Sequence, residues 1–261
     1  MIKEQIIIKI NALILINFEE RPKQINKIMK NGEILWSGEN GLQIIGTQEE
    51  TWEEYFIVEF PNSNVFQESI NQLTSLNFSN IRIFKIKPIN KLKLNILQFL
   101  MKFIFSKLPM KLGRMDVNVE ENLDKIESEI IPTRNQMTKL LAADKSMYVD
   151  MLNFIKYYDK AKYPQDFLQK KDISGAEAYN KYGSKVMRVV AKLGGYIIHV
   201  GKVEGIVAGE ASTNWDEYAI MRYPNKKTFR SMFTVKANKE GGIHRDAGLE
   251  KTNVFAFDPQ N

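Results

Sequence analysis

One stretch of this chain occurs twice. Thr51-Trp52-Glu53-Glu54-Tyr55-Phe56-Ile57-Val58-Glu59-Phe60-Pro61-Asn62 returns as Asn214-Trp215-Asp216-Glu217-Tyr218-Ala219-Ile220-Met221-Arg222-Tyr223-Pro224-Asn225. The offset is 163 residues, 52 to 215, and it holds without a gap from Asn31/Gly194 to Phe66/Phe229. Gly32/Gly195, Ile34/Ile197, Gly38/Gly201 and Gly46/Gly209 match in phase. A gap-free match of this kind identifies a tandem duplication, so each half must supply the same supersecondary unit.

The first half shows what that unit is. Ile6 to Phe18 is nearly continuous in apolar residues and reads as a buried strand. Glu4, Lys9 and Asn11 interrupt the run and no small-residue cleavage site follows, so it does not read as a signal peptide. A short helix fits Pro22 to Lys30, with proline in its first turn. Glu33 to Ile45 and Glu54 to Phe60 follow as strands, the second ended by Pro61. Asn62 is suited to cap a helix over Ser63 to Leu76, and Asn80 to Ile86 closes the unit. The order is β-α-β-β-α-β, a ferredoxin-like unit. The second half repeats it. Met147 to Tyr157 is its first strand. Ser174 and Glu177 form a capping box for a helix from Gly175 to Leu193. Tyr196 to Val207 and Glu217 to Tyr223 are middle strands, Asn225 caps a helix to Ala237, and Lys251 to Phe257 is the last strand. The segments Tyr158 to Ile173 and Asn238 to Glu250 are expected to be loops.

Between the halves, Lys91 to Leu108 spaces its polar residues as a helix does. Lys91, Asn95, Gln98 and Lys102 are expected towards water, with Ile96, Phe99 and Phe103 buried on the protein. The segment is too polar to span a membrane. It is read as a linker helix, with weak membrane-surface contact or partner docking as alternatives. Residues 113 to 129 are acidic and read as loop with partial helix. Thr133 and Gln136 open a helix that ends near Asp144.

Composition excludes several chemistries. The chain has no cysteine, so disulfides, thiolate nucleophiles and cysteine-held metals are out, and a cytoplasmic location is expected. With only His199 and His244, an all-histidine metal site is impossible, and no metal or other cofactor is expected. Phosphate loops, dinucleotide fingerprints, nucleophile elbows and two-histidine zinc motifs are missing. The net charge is +6, but no dense basic run with interleaved aromatics points to specific nucleic-acid binding.

Polar groups present in only one half are not demanded by the shared core. Tyr179 and Tyr182, three apart on a helix, share a face. His199 stands where the first half has Trp36. His244-Arg245-Asp246-Ala247-Gly248-Leu249-Glu250 has no counterpart. Catalytic candidates are therefore His199, His244, Tyr179 and Tyr182, as acid-base groups. Ligand-binding candidates are Arg245, whose planar fork matches a carboxylate, with Asn153 and Glu250. Each has a structural alternative: the tyrosines as core residues with hydroxyls at the rim, His199 as a satisfied histidine. Arg245 has Asp246 or Glu250 as partners, and Asn153 repeats Asn17.

Leu152-Asn153-Phe154, Tyr163-Pro164, Ser174-Gly175-x-Glu177-Ala178-Tyr179-x-x-Tyr182-Gly183, Gly194-Gly195, Trp215-Asp216, Tyr223-Pro224 and His244-Arg245-x-Ala247-Gly248-Leu249-Glu250 together resemble the domain-of-unknown-function 1330 family, of the dimeric α+β barrel superfamily. The likeness covers about Asn118 to Pro259. The first half follows it only through its middle and lacks the Tyr-x-x-Tyr and His-Arg motifs. The resemblance implies a ferredoxin-like domain whose sheet meets a second sheet to close a barrel. Relatives there include cofactor-independent monooxygenases, haem-binding enzymes, lactone isomerases and small-molecule sensors.

The expected architecture is α+β: two ferredoxin-like repeats, residues 1–88 and 146–261, fused through a helical linker, 89–145, into one pseudo-dimeric α+β barrel. An enzyme acting on a small, partly apolar, carboxylate-bearing substrate and a non-catalytic small-molecule-binding or interaction domain are the two functional readings. A haem enzyme is the third, with His199 or His244 as the only available histidine ligand. Homo-oligomers are compatible with either of the first two.

Overall fold

The computed structural model describes residues 9–46, 50–113, 130–142, 148–165, 167, 172–211 and 213–260. The first half runs β1 (Ile10–Asn17), α1 (Ile25–Met29), β2 (Glu33–Ile45), β3 (Thr51–Phe60), α2 (Ser63–Thr74) and β4 (Asn80–Pro88). A middle segment follows with α3 (Lys91–Phe99), a π-helical turn (Leu100–Phe105) and α4 (Arg134–Ala142). The second half runs β5 (Val149–Tyr157), α5 (Gly175–Lys192), β6 (Tyr196–Ala208), β7 (Glu217–Tyr223), α6 (Lys226–Ser231), a 3-10 turn (Met232–Thr234), α7 (Lys236–Gly248) and β8 (Leu249–Pro259).

All eight strands join one closed antiparallel barrel in the order β1-β3-β2-β8-β5-β7-β6-β4. Within each half the sheet order is last-first-third-second. The two half-sheets meet at two seams, β2 with β8 and β4 with β6. Equivalent hairpins keep equivalent register. Gly38 faces Tyr55 as Gly201 faces Tyr218, and both hairpins carry an irregularity one step earlier, at Ile34/Trp36 and Ile197/His199. Gly46 and Gly209 lie just beyond the second strand of each half with φ of 134° and 82°. Side chains rarely adopt that conformation, which explains why glycine recurs there. Asn62 and Asn225 do what their sequence position promised: their side chains accept from Val65 N and Thr228 N and open the following helices.

Strand periodicity sorts the core into three layers. On β1, Leu13 and Leu15 point into the barrel, while Ala12, Ile14 and Ile16 pack outwards under α1 and α2. On β5, Leu152 and Phe154 point in, while Val149 and Met151 pack outwards against residues of α3 to α6. The barrel is a filled core. Tyr55, Phe154, Phe255 and Phe257 are each almost fully buried there. A buried ion pair joins neighbouring strands: opposite each other on β7 and β5, the Arg222 guanidinium grips Asp150 at 2.7 and 2.9 Å, and the Tyr55 hydroxyl donates to the same carboxylate at 3.1 Å. Its third flank is Trp36, whose ring lies 5.4 Å from the guanidinium carbon.

Several expectations need correction. The His244–Glu250 segment is not a loop: residues 236–248 form α7, and Leu249 already belongs to β8. The linker helix presents a different face from the one its polar spacing predicted. Lys91, Asn95 and Lys102 are exposed as expected, Lys102 with its ammonium 3.7 Å from the Tyr196 ring, but Gln98 is half-buried and donates to the Ile198 carbonyl at 3.4 Å. Polar side chains that find partners on the protein need not face water. Met101, Leu94, Leu97 and Phe105 pack into the core instead, and Ile96, Phe99 and Phe103 are about half exposed, at 50%, 55% and 53%. The expected acidic segment falls, from residue 114 to 129, outside the described residues.

Candidate functional site

The second half carries a layer that the first lacks. Helix α5 starts at a complete capping box, Ser174 to Glu177, and crosses α7 near Gly248. The chains touch backbone to backbone there. A methyl group on Gly175 would sit 2.3 Å from the Tyr158 carbonyl oxygen and 2.6 Å from that of Gly248. Tyr158 N donates to Gly248 O and Gly175 N donates to Tyr158 O, both at 3.0 Å. Ala178 and Ala247 are buried in the same crossing with Tyr163. These motif residues thus set how closely the helices approach.

That approach brings tyrosines together. Tyr157, Tyr179 and Tyr182 form a row with ring centroids 5.5 Å apart at each step. One end is anchored by the Tyr157 hydroxyl on Glu217 at 2.9 Å. At the other, Arg245 holds its guanidinium carbon 5.9 Å from the Tyr182 ring centre and pairs with Asp246 at 2.7 Å. Tyr182 also donates to Asn238 at 3.3 Å. Tyr223 lies close enough to feel Tyr182 and Tyr179 electrostatically. Burial comes first in raising the pKa of Tyr157, Tyr179, Tyr182 and Tyr223 above the ordinary tyrosine range, so all four are neutral donors at physiological pH. The Tyr179 hydroxyl, on a half-buried side chain, makes no hydrogen bond among the described residues.

His244, on α7, meets the Tyr163 hydroxyl through Nδ1 at 2.8 Å and stands edge-on to Phe167. Burial and the nearby Lys185 and Lys181 lower its pKa, which keeps it neutral. His199 is elsewhere. It lies buried on β6, and its Nδ1 meets the hydroxyl of Tyr218, a barrel-interior residue, at 2.8 Å. Burial pulls its pKa down to about 4. A haem at His199 does not fit its surroundings: the side chain is buried, its Nδ1 is taken by the Tyr218 hydroxyl and the Tyr218 ring stacks on it with centroids 5.7 Å apart. The predicted set therefore divides. Tyr179, Tyr182, His244 and Arg245 share the α5–α7 layer, and His199 belongs to the barrel interior. Asn153 does not aim into the barrel: its amide donates to the carbonyls of Met151 and Ala219, a backbone-holding role. Glu250 is exposed on β8, and the carboxylate that meets Arg245 is Asp246.

Two features were not found by sequence reasoning. One is the Asp150–Arg222–Tyr55 network, whose members come from β5, β7 and β3 and share no local spacing. The other is a pair of clefts at repeat-related positions. One, of about 480 Å³, is lined by Asn40, Leu42, Trp52, Glu53 and Lys139 among others. The second, of about 270 Å³, is lined by Val203, Gly205, Asn214 and Trp215 among others. Asn40/Val203, Leu42/Gly205 and Trp52/Trp215 are counterparts at the repeat offset, which was the available signal. Among the described residues, no group of three His, Asp or Glu side chains could hold a metal ion.

No protein-family model matches this chain, and no functionally curated protein matches it either. Among solved structures, it is similar to a protein of unknown function from Rhodopseudomonas palustris, with 28% identity over 50% of this chain and 95% of that one, at a TM-score of 0.45. It is also similar to an anthrone oxidase-like protein, with 11% identity over 97% and 92% of the two chains and a TM-score of 0.45. A mutant chlorite dismutase from Candidatus Nitrospira defluvii shares 8% identity over 96% of this chain and 92% of its own, at a TM-score of 0.43. All three scores lie below 0.5.

Proposed function

We propose that this chain is a small-molecule-binding protein built from two fused ferredoxin-like repeats of the domain-of-unknown-function 1330 type, residues 1–88 and 146–261, joined through 89–145. Its ligand seats against the α5–α7 layer of the second repeat. One observation carries this reading: Tyr179 presents a hydroxyl with no hydrogen-bond partner among the described residues, in a row of neutral tyrosines next to Arg245. Convergent polar donors on an aromatic wall are what a small carboxylate-bearing, partly apolar molecule needs. The strand periodicity and the paired registers support the repeat reading.

Binding is favoured over catalysis because neutral, high-pKa tyrosines donate hydrogen bonds but do not take protons near neutrality. The enzyme reading rests on His244. It is a neutral imidazole within hydrogen-bond distance of Tyr163, and its chain neighbour is Arg245.

Native mass spectrometry on the protein purified without denaturation identifies the retained molecule. Arg245→Ala is expected to weaken its binding about ten- to hundredfold, the loss of a charge-assisted hydrogen bond worth roughly 1.5–3 kcal/mol. Unchanged affinity in that variant rejects the site. Loss of binding in Leu42→Trp, which fills the larger cleft, moves it to the first repeat.

A further inference from the structure

Among the described residues, half of the exposed large apolar side chains gather on the middle helix and its π-turn. Leu92, Ile96, Phe99 and Phe103 recur at helical spacing and are 66%, 50%, 55% and 53% exposed. Phe99 and Phe103 already touch, with ring centroids 5.3 Å apart. Leu108 continues the stripe at 49% exposure. This is not a loosely attached helix. Asn90 caps it by accepting from Leu92 N at 2.9 Å, and Lys192 donates to the Ser106 carbonyl at 2.7 Å near its far end. Met101 on its inner side is fully buried. The π-turn, closed by Ser106 N on Met101 O at 3.3 Å, keeps Met101 and Phe105 against the core while Phe103 stays outside. The apolar stripe is therefore held outwards by a fixed inner face.

Charge says what covers it. No acidic residue occurs from Ser69 to Met115. Lys91 and Lys93 flank Leu92, Lys107 stands four residues past Phe103, and all three are exposed. A protein surface of mixed charge does not require such a one-signed rim, whereas an anionic headgroup layer does. Among the described residues no helix is long and apolar enough to cross a membrane, which fits a helix lying in the interfacial plane. We propose that α3 and its π-turn dock the barrel on anionic lipid surfaces, with Phe99 and Phe103 inserted between headgroups and Lys91, Lys93 and Lys107 paired with lipid phosphates and carboxylates.

The test is flotation of the full chain with phosphatidylcholine vesicles, with or without roughly a third phosphatidylserine. The protein is expected to float with the anionic vesicles and not with the neutral ones. Raising salt from about 0.1 to about 0.5 M should cut the bound fraction severalfold. Phe99→Glu/Phe103→Glu is expected to lower binding about tenfold or more, with the circular dichroism spectrum retained because neither side chain is part of the buried core. Lys91→Gln/Lys93→Gln/Lys107→Gln, which leaves every apolar contact in place, should lower anionic binding to a similar extent. Absence of flotation on anionic vesicles overturns the proposal, as does equal flotation of either variant and the parent. If the parent does not float and light scattering shows a dimer that Phe99→Glu/Phe103→Glu makes monomeric, the stripe belongs to a second copy of this chain.

Discussion

His199 shows how one side chain couples the barrel to pH. Folding buries the imidazole beside Tyr218 and holds its pKa near 4, against 6.5 when solvated. Between those values the unfolded chain binds a proton that the native chain refuses. Stability is then complete above pH 6.5, falls as pH drops towards 4, and regains nothing below that. The difference corresponds to something on the order of 3 kcal/mol. His199→Gln keeps a hydrogen-bonding group for Tyr218 and removes the titration. Urea denaturation at about pH 7 and about pH 4.5 should show the parent losing more stability than this variant by that order; equal losses would place the acid sensitivity elsewhere. The same residue marks a difference between the halves, since its counterpart Trp36 lies over Arg222 and has no charge state to switch.

At the scale of elements, the α5–α7 crossing depends on absent side chains. Gly175 has no room for a methyl group, with backbone oxygens at 2.3 and 2.6 Å from where it would sit. Gly183, eight residues along the same helix, has nothing within 4 Å. Gly175→Ala is expected to destabilise the fold by about 1–3 kcal/mol through overpacking, and to weaken ligand binding by shifting Tyr179. Gly183→Ala is expected to stabilise it by up to about 1 kcal/mol through helix propensity. Thermal melts of the pair check this, and a harmless Gly175→Ala would mean the helices can separate at little cost. Much of the motif that distinguishes the second half, Gly175, Ala178, Ala247 and Gly248 in particular, is explained by this packing and not by chemistry.

Across the whole molecule, the seams bind the halves together. Neither half-sheet can close alone, because β2 needs β8 and β4 needs β6 to pair its outer edge. Phe84 from the first half meets Phe154 from the second at a tilt, ring centroids 5.0 Å apart, inside the shared core. Unfolding should therefore be one cooperative event. The tryptophans give probes in both halves: Trp52 in the first, Trp215 in the second, and Trp36, which stands on the first but lies against Arg222 of the second. Urea transitions followed in Trp215→Phe and in Trp36→Phe/Trp52→Phe should coincide with those seen by circular dichroism of the same variants. Separate midpoints within one variant would show that the halves melt independently.

What the sequence by itself determined is local or periodic. The offset of Trp52 and Trp215, the order of the strands, the Asn62 and Asn225 caps and the Ser174–Glu177 box all follow from neighbours within a few residues, where backbone geometry and side-chain chemistry are coupled directly; α7, with its glycines and weak apolar spacing, did not. Even the existence of α3 was legible, because polar spacing reports helical period. Its buried face was not, because that depended on the core across the fold accepting Leu94, Leu97, Met101 and Phe105 and on the Ile198 carbonyl offering Gln98 a partner. The site divided for a similar reason. His199 and Arg245 looked alike as groups unique to one half, but the alternation of β6 about its irregularity sent one into the barrel, and helix α7 carried the other to the outer layer. The Asp150–Arg222 pair and the two seams join residues distant in sequence, so only barrel closure brings them together.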